Sequence, residues 1–402
     1  MKNIVPVLLG TDINAYSMTR TFHEAYGVKS YIIGKMYSGP IKNSKIIEKV
    51  ILEPNIEQNE RFLEIILPLG KELKSKGITP FIFACGDNYI RLVTKNKDAL
   101  SKYFIVPFID DDLADKLILK ENFYKLCDEY NIDYPKTFSF DCNSDLNIED
   151  INLNFPLIIK PSNSVTYWDF PFEGQEKVFL ANDLNDGKRI LNDILKSGYR
   201  DGLIFQEFIP GSDDHMYVLT CYSNQRKKVV MTALGHVLLE EHTPKGKGNH
   251  AAILSDENDV LVSKLSGFLE SIGYIGFSNF DIKYDERDKK YKVFEVNLRQ
   301  GRSNYYVTGG GINIAKLPVE DYLTGESIQP TKLKVGSLWT MLPHGVIYKY
   351  VSDNDLKNTV KKLIKSHNVT HPLEYNKDKN LKRSLYINLA KLNQFKKFKK
   401  YF

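Results

Sequence analysis

"FEVNLRQGRSNYY", residues 294–306, opens as a strand with one buried face, since Phe294, Val296 and Leu298 recur at period two. The alternate positions are Glu295, Asn297 and Arg299, so a carboxylate, an amide and a guanidinium leave the strand in one direction. A solvated sheet edge accounts for that pattern, and so does a site that needs all three groups. The residues upstream bear on the choice. "SNFDIKYDERDKKYKVFEVN", 278–297, sets two strand-like runs around the polar segment "DERDKK" and reads as a hairpin. A hairpin symmetric about residue 288 puts Asp281 opposite Glu295 and Asn279 opposite Asn297, with facing Cβ atoms about 5 Å apart.

Opposed carboxylates destabilise a sheet unless a counter-ion sits between them, and a hard divalent cation bound by oxygens answers that need. Mg²⁺ takes one or two protein carboxylates and completes its octahedron with water and phosphate oxygens. Asp281, Glu295 and the Asn297 side-chain carbonyl are therefore candidate ligands, with a nucleoside triphosphate nearby. Arg299, next on the same face, is placed where charge develops during phosphoryl transfer. The competing reading is a half-solvated hairpin whose Glu and Arg pair across strands.

"FPLIIKPSNS" is an apolar strand that delivers Lys160 at its end, where an ammonium can reach a phosphate as a point charge. The following "SNSVTYWDFPFEGQEKVF" carries only one glycine, and GxxxxGK[ST] occurs nowhere in the chain. "LIFQEFIPGSDD" ends an apolar run in Gln206-Glu207 and a Pro-Gly turn, a hinge whose backbone is suited to pairing with a purine. Taken singly, each of these segments is also ordinary sheet and turn.

The chain has 402 residues and a net charge of +5 concentrated near its end, which does not make the basic footprint of a nucleic-acid-binding domain. Cys85, Cys127, Cys142 and Cys221 lie far apart with no CxxC spacing, so they are read as reduced core thiols. No apolar run suits a secretory signal, and none approaches the roughly 18 residues of a membrane span, so a cytoplasmic protein is expected. "NIVPVLLG", "TDINAYSMTRTFHEAYG" and "KSYIIG" make a β-α-β opening. "DLADKLILKENFYKLCDEYN" reads as one helix starting a new unit, and "GLIFQEFI" and "MYVLTCYS" as paired strands.

In this order, these pieces resemble the ATP-grasp superfamily. The resemblance implies an α/β and α+β protein, an ATP-grasp fold with an N-terminal Rossmann-like pre-ATP-grasp domain. Its expected parts are the pre-ATP-grasp domain at 1–112, a small lobe with its linker helix at 113–205, a large lobe carrying the metal site at 206–330, and a C-terminal extension packed on the large lobe at 331–402. Lys116 in "LADKLILK" and Lys160 look like the two lysines that hold nucleotide phosphates, and Lys177 in "GQEKVF" like the basic residue of the phosphate loop. Gln206, Glu207 and Ile209 resemble the adenine-facing hinge and Asp214 the ribose-binding acid. Asp281, Glu295 and Asn297 match the metal ligands of the "ExNxR" pattern, and Arg299 its catalytic arginine. ATP and two Mg²⁺ ions, with Mn²⁺ able to substitute, are the implied cofactors.

At closer range "VLLGTDINAYSMTRTFHEAYGVKS", "FACGDNY", "KPSNSV", "GNHAAI" and "NLRQGRSNYY" resemble the D-aspartate ligase branch. That likeness implies activation of the D-aspartate β-carboxylate as an acyl-phosphate and its transfer to the lysine side chain of a peptidoglycan precursor. Lys245, Lys247, Asn249 and His250 in "HTPKGKGNHAAI", with Arg302 and Ser303 in "GRSN", are then candidates for holding the amino-acid or acceptor carboxylates, and His250 for taking the amine's proton. A ligase for other amino acids, a nucleotide-binding protein without turnover and a biotin-type carboxylase remain open at this level. The tail "SLYINLAKLNQFKKFKKYF" aligns Leu385, Leu389, Leu392, Phe395 and Phe398 along one helical stripe among lysines. It is read either as a closing helix packed on the last lobe or as an anchor on anionic lipid.

Overall fold

"NIVPVLLG" becomes β1 (Ile4–Leu9), which with β2 (Ser30–Gly34), β3 (Ile47–Leu52) and β4 (Thr79–Ala84) forms a parallel sheet in the order β3-β2-β1-β4. Helix α1 (Ile13–Tyr26) starts at Asp12, whose carboxylate accepts from the Asn14 and Ala15 amides, and stops at Gly27 in the left-handed region, φ +69°. Helices α2 (Asn59–Ser75), α3 (Asp87–Lys95) and α4 (Lys97–Ser101) complete this α/β segment. The computed structural model describes residues 3–402 except 145–147, 163, 245 and 326. Its packing defines two units. One comprises Met1–Ala114, Asp213–Asp281 and Val296–Phe402, and the other Asp115–Ser212 and Ile282–Glu295.

The smaller unit begins within α5 (Asp111–Ile118) and includes α6 (Lys120–Glu129). The expected single helix is broken at Leu119, which is extended at φ −75°, ψ 111°. Beyond it, β5 (Thr137–Asp141), β6 (Leu157–Pro161), β7 (Phe179–Ala181) and β8 (Gly202–Glu207) make an antiparallel sheet in the order β5-β8-β6-β7, joined by α7 (Ser164–Tyr167) and α8 (Leu184–Lys196). Phe140, Ile159, Tyr167, Tyr199 and Phe205 fill its core.

The third sheet holds β9 (Met216–Ser223), β10 (Val229–Glu240), β11 (His250–Asp256), β12 (Gly276–Asp285), β13 (Lys290–Asn297), β14 (Thr331–Lys332), β15 (Leu338–Thr340) and β16 (Val369–Thr370). Its order is β13-β12-β9-β10-β11-β15-β16, with β14 beside β10. The expected pairing of "GLIFQEFI" with "MYVLTCYS" does not occur: both edges of β8 are taken by β5 and β6, and β9 joins a different sheet. The hairpin also turns half a residue earlier than symmetry about 288 requires. The Lys289 amide donates to the Asp285 carbonyl at 2.8 Å with Lys289 at φ +60°, so Asp285 and Lys290 flank the turn.

Helices α9 (Asp259–Ser271), α10 (Tyr305–Gly309), α11 (Lys316–Leu323), α12 (His344–Tyr350), α13 (Asn354–Lys365) and α14 (Leu381–Tyr401) finish the larger unit. Its core runs from Leu8, Phe81 and Phe83 of the parallel sheet and Phe22 of α1 to Tyr305, Tyr306, Trp339 and Ile387. Burying such side chains contributes about 1.5–3 kcal/mol each, which ties the segments of this unit into one body. Gly276, at φ +86°, lies so close to the Pro107 carbonyl that a Cβ would collide with it. The four cysteines are free and buried, as expected. Among the described residues no helix is long and apolar enough to cross a membrane.

Candidate active site

In the smaller unit, Lys160 stands near the end of β6 and donates to Gln206 Oε1 at 3.0 Å, with its ammonium 5.9 Å from the Phe294 ring centre. Gln206 uses its amide nitrogen on Tyr124 Oη at 2.9 Å and Thr137 Oγ1 at 2.8 Å, and Tyr124 in turn donates to the Phe294 carbonyl at 3.0 Å. This network fixes the lysine's position from four further elements, β8, α6, β5 and β13. Burial, followed by the neighbouring charge of Lys120, lowers the Lys160 pKa to about 7.

Glu295 is the carboxylate of this cluster. Lys120 Nζ lies 3.4 Å from its Oε2, and the fields of Lys120, Lys177 and Lys160 hold its pKa well below the usual carboxylate range. Lys177 itself is exposed, on the segment before β7. Three ammonium groups thus act on one carboxylate, a surplus of positive charge that a polyphosphate would neutralise. Lys116 is not part of this cluster: it is exposed on α5, and Lys120, one turn later and past the Leu119 break, is the lysine that meets Glu295. The sequence held a signal for Lys120, since Lys120 and Tyr124 are four apart on α6 and share a face.

The hinge residues are anchored in the same unit. The Glu207 amide donates to the Lys136 carbonyl at 2.9 Å, its carboxylate pairs with Arg287 at 3.0 Å, and Ile209 is buried. Arg287 also grips Asp285, the residue before the hairpin turn, through two bonds of 2.8 and 2.6 Å.

In the larger unit, Asn297 Nδ2 donates to Asp281 Oδ2 at 3.0 Å and to the Asn279 carbonyl at 3.4 Å, while Asn279 Nδ2 reaches Asp281 Oδ1 at 3.3 Å. Gly301 permits this, because a Cβ there would strike the Asn279 amide. Arg299 contacts Asn297 Oδ1 at 3.4 Å and is held by Asp87 Oδ1, 2.9 Å from Nε and 2.8 Å from Nη2. Among the described residues, no three His, Cys, Asp or Glu converge as a self-contained metal cage. Within this unit Asp281 and Asn297, hydrogen-bonded to each other, carry hard oxygen atoms of the kind Mg²⁺ accepts when water and phosphate supply the rest.

Arg302 lies 3.5 Å from Glu241 and 3.9 Å from Asp12, at the start of α1. Ser303 is buried beside it, and its carbonyl accepts the Tyr306 amide at 2.9 Å. Asn249 is used through its backbone, its carbonyl accepting the Glu241 amide at 2.8 Å. His250 is buried at the start of β11, 3.7 Å from Glu240, and burial together with Arg302 pushes its pKa down to about 4. It is a neutral imidazole at ordinary pH and a weak base for an ammonium proton. Asp214 is bound to His215 at 3.0 Å, and its carbonyl lies 2.6 Å from His236 Nε2. Lys245 lies outside the described residues.

A parallel α/β sheet, an antiparallel sheet bearing a half-buried lysine and a large mixed sheet carrying Asp281 and Asn297 make this an ATP-grasp fold. Solved structures with that fold bear the likeness out. The L-amino acid ligase from Bacillus licheniformis matches with a TM-score of 0.58 at 14% identity, over 84% of this chain and 79% of that one. The biotin carboxylase domain of the Hydrogenobacter thermophilus 2-oxoglutarate carboxylase, crystallised with MgADP, ADP and bicarbonate, gives 0.62 at 12% identity over 83% and 73%. The N5-carboxyaminoimidazole synthetase from Staphylococcus aureus gives 0.57 at 13% identity over 83% and 80%. No protein-family profile matches the chain. The D-aspartate ligase of Enterococcus faecium (strain Aus0004) is 38% identical over 411 aligned positions, spanning 100% of this chain and 97% of that protein. The chain belongs to the D-aspartate ligase family.

Proposed function

We propose that the protein is an ATP-dependent carboxylate-amine ligase that joins D-aspartate to the lysine side chain of a peptidoglycan precursor. The observation that carries the nucleotide part is the cluster of Lys120, Lys160 and Lys177 around Glu295. The full-length similarity to a D-aspartate ligase supports the substrate.

ATP and Mg²⁺ fit these residues: the lysines carry charge surplus to Glu295, and Asp281, Glu295 and Asn297 offer hard oxygen donors. Bound Mg²⁺ would supply Lewis-acid neutralisation of the triphosphate. Lys120, Lys160 and Lys177 hold phosphate oxygens, Gln206, Glu207 and Ile209 line the base, and Asp214 takes the ribose. Arg299, oriented by Asp87, stabilises negative charge as the substrate carboxylate is phosphorylated and as the amine then attacks the acyl-phosphate. Arg302 and Ser303 bind a substrate carboxylate. In this reading 1–112 is the pre-ATP-grasp domain, 113–205 and 206–330 are the two lobes, and 331–402 is the extension.

The test is ADP release measured with each D- and L-amino acid, with and without a lysine-containing muropeptide precursor. Release with D-aspartate that depends on the precursor is expected. Precursor-dependent release with a different amino acid would keep the ligase and replace its substrate, and no release with any pair would leave a binding protein.

A further inference from the structure

Helix α14 packs one mixed face on the fold and leaves an apolar stripe exposed on another. Arg383, Ile387, Gln394 and Phe398 are buried, and Phe398 and Phe402 pack their rings on Tyr350 at 5.3 and 4.9 Å. Phe398 therefore leaves the stripe on which helical spacing set it. The remaining stripe, Leu381, Leu385, Leu389, Leu392 and Phe395, stays between 45% and 91% exposed. At about 100° per residue these five side chains fall within a sector of about 120°, and the stripe runs for roughly 20 Å. Five large exposed apolar side chains on one side of a surface helix, with Asn388 among them in the same sector, mark an interaction face.

The charges around the row indicate what covers it. From 381 to 402 the chain has no Asp or Glu, yet it carries Lys382, Lys391, Lys396, Lys397, Lys399 and Lys400. Lys391 is paired with Glu374, while Lys382, Lys396, Lys399 and Lys400 are exposed. A second copy laid along the stripe would bring two lysine-lined helices together with no acids between them, which opposes pairing. An anionic surface meets the lysines and the leucines at once, because the ammonium stems reach headgroup level while the apolar row enters the acyl boundary.

We infer that α14 is an interfacial helix that seats the protein on an anionic lipid surface through Leu381, Leu385, Leu389, Leu392 and Phe395, flanked by Lys382, Lys396, Lys399 and Lys400. The helix end also packs on the loop after β10, where the His242 ring lies 4.6 Å from that of Phe402. The lipid seat is thereby joined to the loop that carries Lys247 and Asn249.

Vesicle flotation at low salt tests this with the intact chain, using phosphatidylcholine vesicles with and without phosphatidylglycerol. The wild-type protein is expected to float with the anionic vesicles only and to be released by salt. Leu385→Gln/Leu389→Gln/Leu392→Gln and Lys396→Glu/Lys399→Glu/Lys400→Glu should each lower the bound fraction by about tenfold or more while melting like wild type, since every substituted side chain is exposed. Anionic vesicles ignored at low salt, or bound equally by the leucine variant, overturn the inference. So does a wild-type dimer that the leucine variant splits while vesicles are ignored.

Discussion

Lys120 Nζ lies 3.4 Å from Glu295 Oε2, whereas Lys116, four residues earlier, is exposed on the far side of a helix break. The pair shares its surroundings with Lys160 and Lys177, so removing Lys120 both frees Glu295 and takes a cation from the proposed phosphate site. Lys120→Met is expected to lower kcat/KM for ATP about 100-fold, and Lys116→Met to change it by no more than about twofold. Steady-state ADP release at varied ATP separates them. Equal losses in the two variants would sink the assignment to Lys120.

Asp87 holds Arg299 through Nε and Nη2, at 2.9 and 2.8 Å. Under the proposed function Asp87, at the start of α3, positions Arg299, and its loss lets the guanidinium swing away from Asn297. Asp87→Ala should therefore lower kcat about tenfold with little change in nucleotide affinity, and Arg299→Ala should lower it further, as for an interaction made in the transition state. Single-turnover kinetics beside nucleotide titration read this out. Weakened ATP binding with normal kcat contradicts the positioning role.

Particular residues show what the sequence could and could not disclose. Alternating Phe294, Val296 and Leu298 against Glu295, Asn297 and Arg299 was legible because period two is local, and "TDINAY…G" was legible because its Asp12 and Gly27 caps are local too. The break at Leu119 was not, since neither glycine nor proline marks it. The partners of β8 were hidden because non-local edges decided them: β5 and β6 occupy both sides, and the chain after the Pro-Gly turn enters a different sheet as β9. Periodicity announced α14 as a helix with one apolar stripe but could not show that the fold would bury a face built on Arg383, Ile387, Gln394 and Phe398 instead.

His250 gives the protein a pH-dependent stability of definite sign. Burial lowers its pKa from the ordinary 6.5 to about 4, so between those values the unfolded chain binds the proton and the folded one does not. Stability from this group is whole above pH 6.5 and is lost as pH falls towards 4, by up to roughly 3 kcal/mol at about 1.4 kcal/mol per unit. Burial lowers His371 in the same direction. Urea melts at pH 7.5 and 5 should show the decline, and His250→Gln should flatten it. An unchanged pH slope in His250→Gln would exclude the histidine as its source.

Arg383 and Asp378 make a buried pair at 3.0 Å, the arginine 1% and the aspartate 0% exposed. The guanidinium lies 4.1 Å from the Tyr16 ring centre and donates to the Pro40 and Lys42 carbonyls at 2.8 and 3.1 Å. Asp378 accepts from Tyr16 Oη at 2.8 Å and Ser44 Oγ at 2.9 Å. Through hydrogen bonds this ion pair ties the C-terminal segment to α1 and to residues 40–44, more than 330 positions earlier. Breaking it from one side leaves a buried charge uncompensated, which costs about 3–5 kcal/mol. Arg383→Met should lower the urea midpoint accordingly. Adding Asp378→Asn should recover part of the loss, because the amide oxygen still accepts from Tyr16 and Ser44 without a stranded charge. If Arg383→Met melts like wild type, or Asp378→Asn deepens its loss, the pair does not hold the C-terminal segment in place.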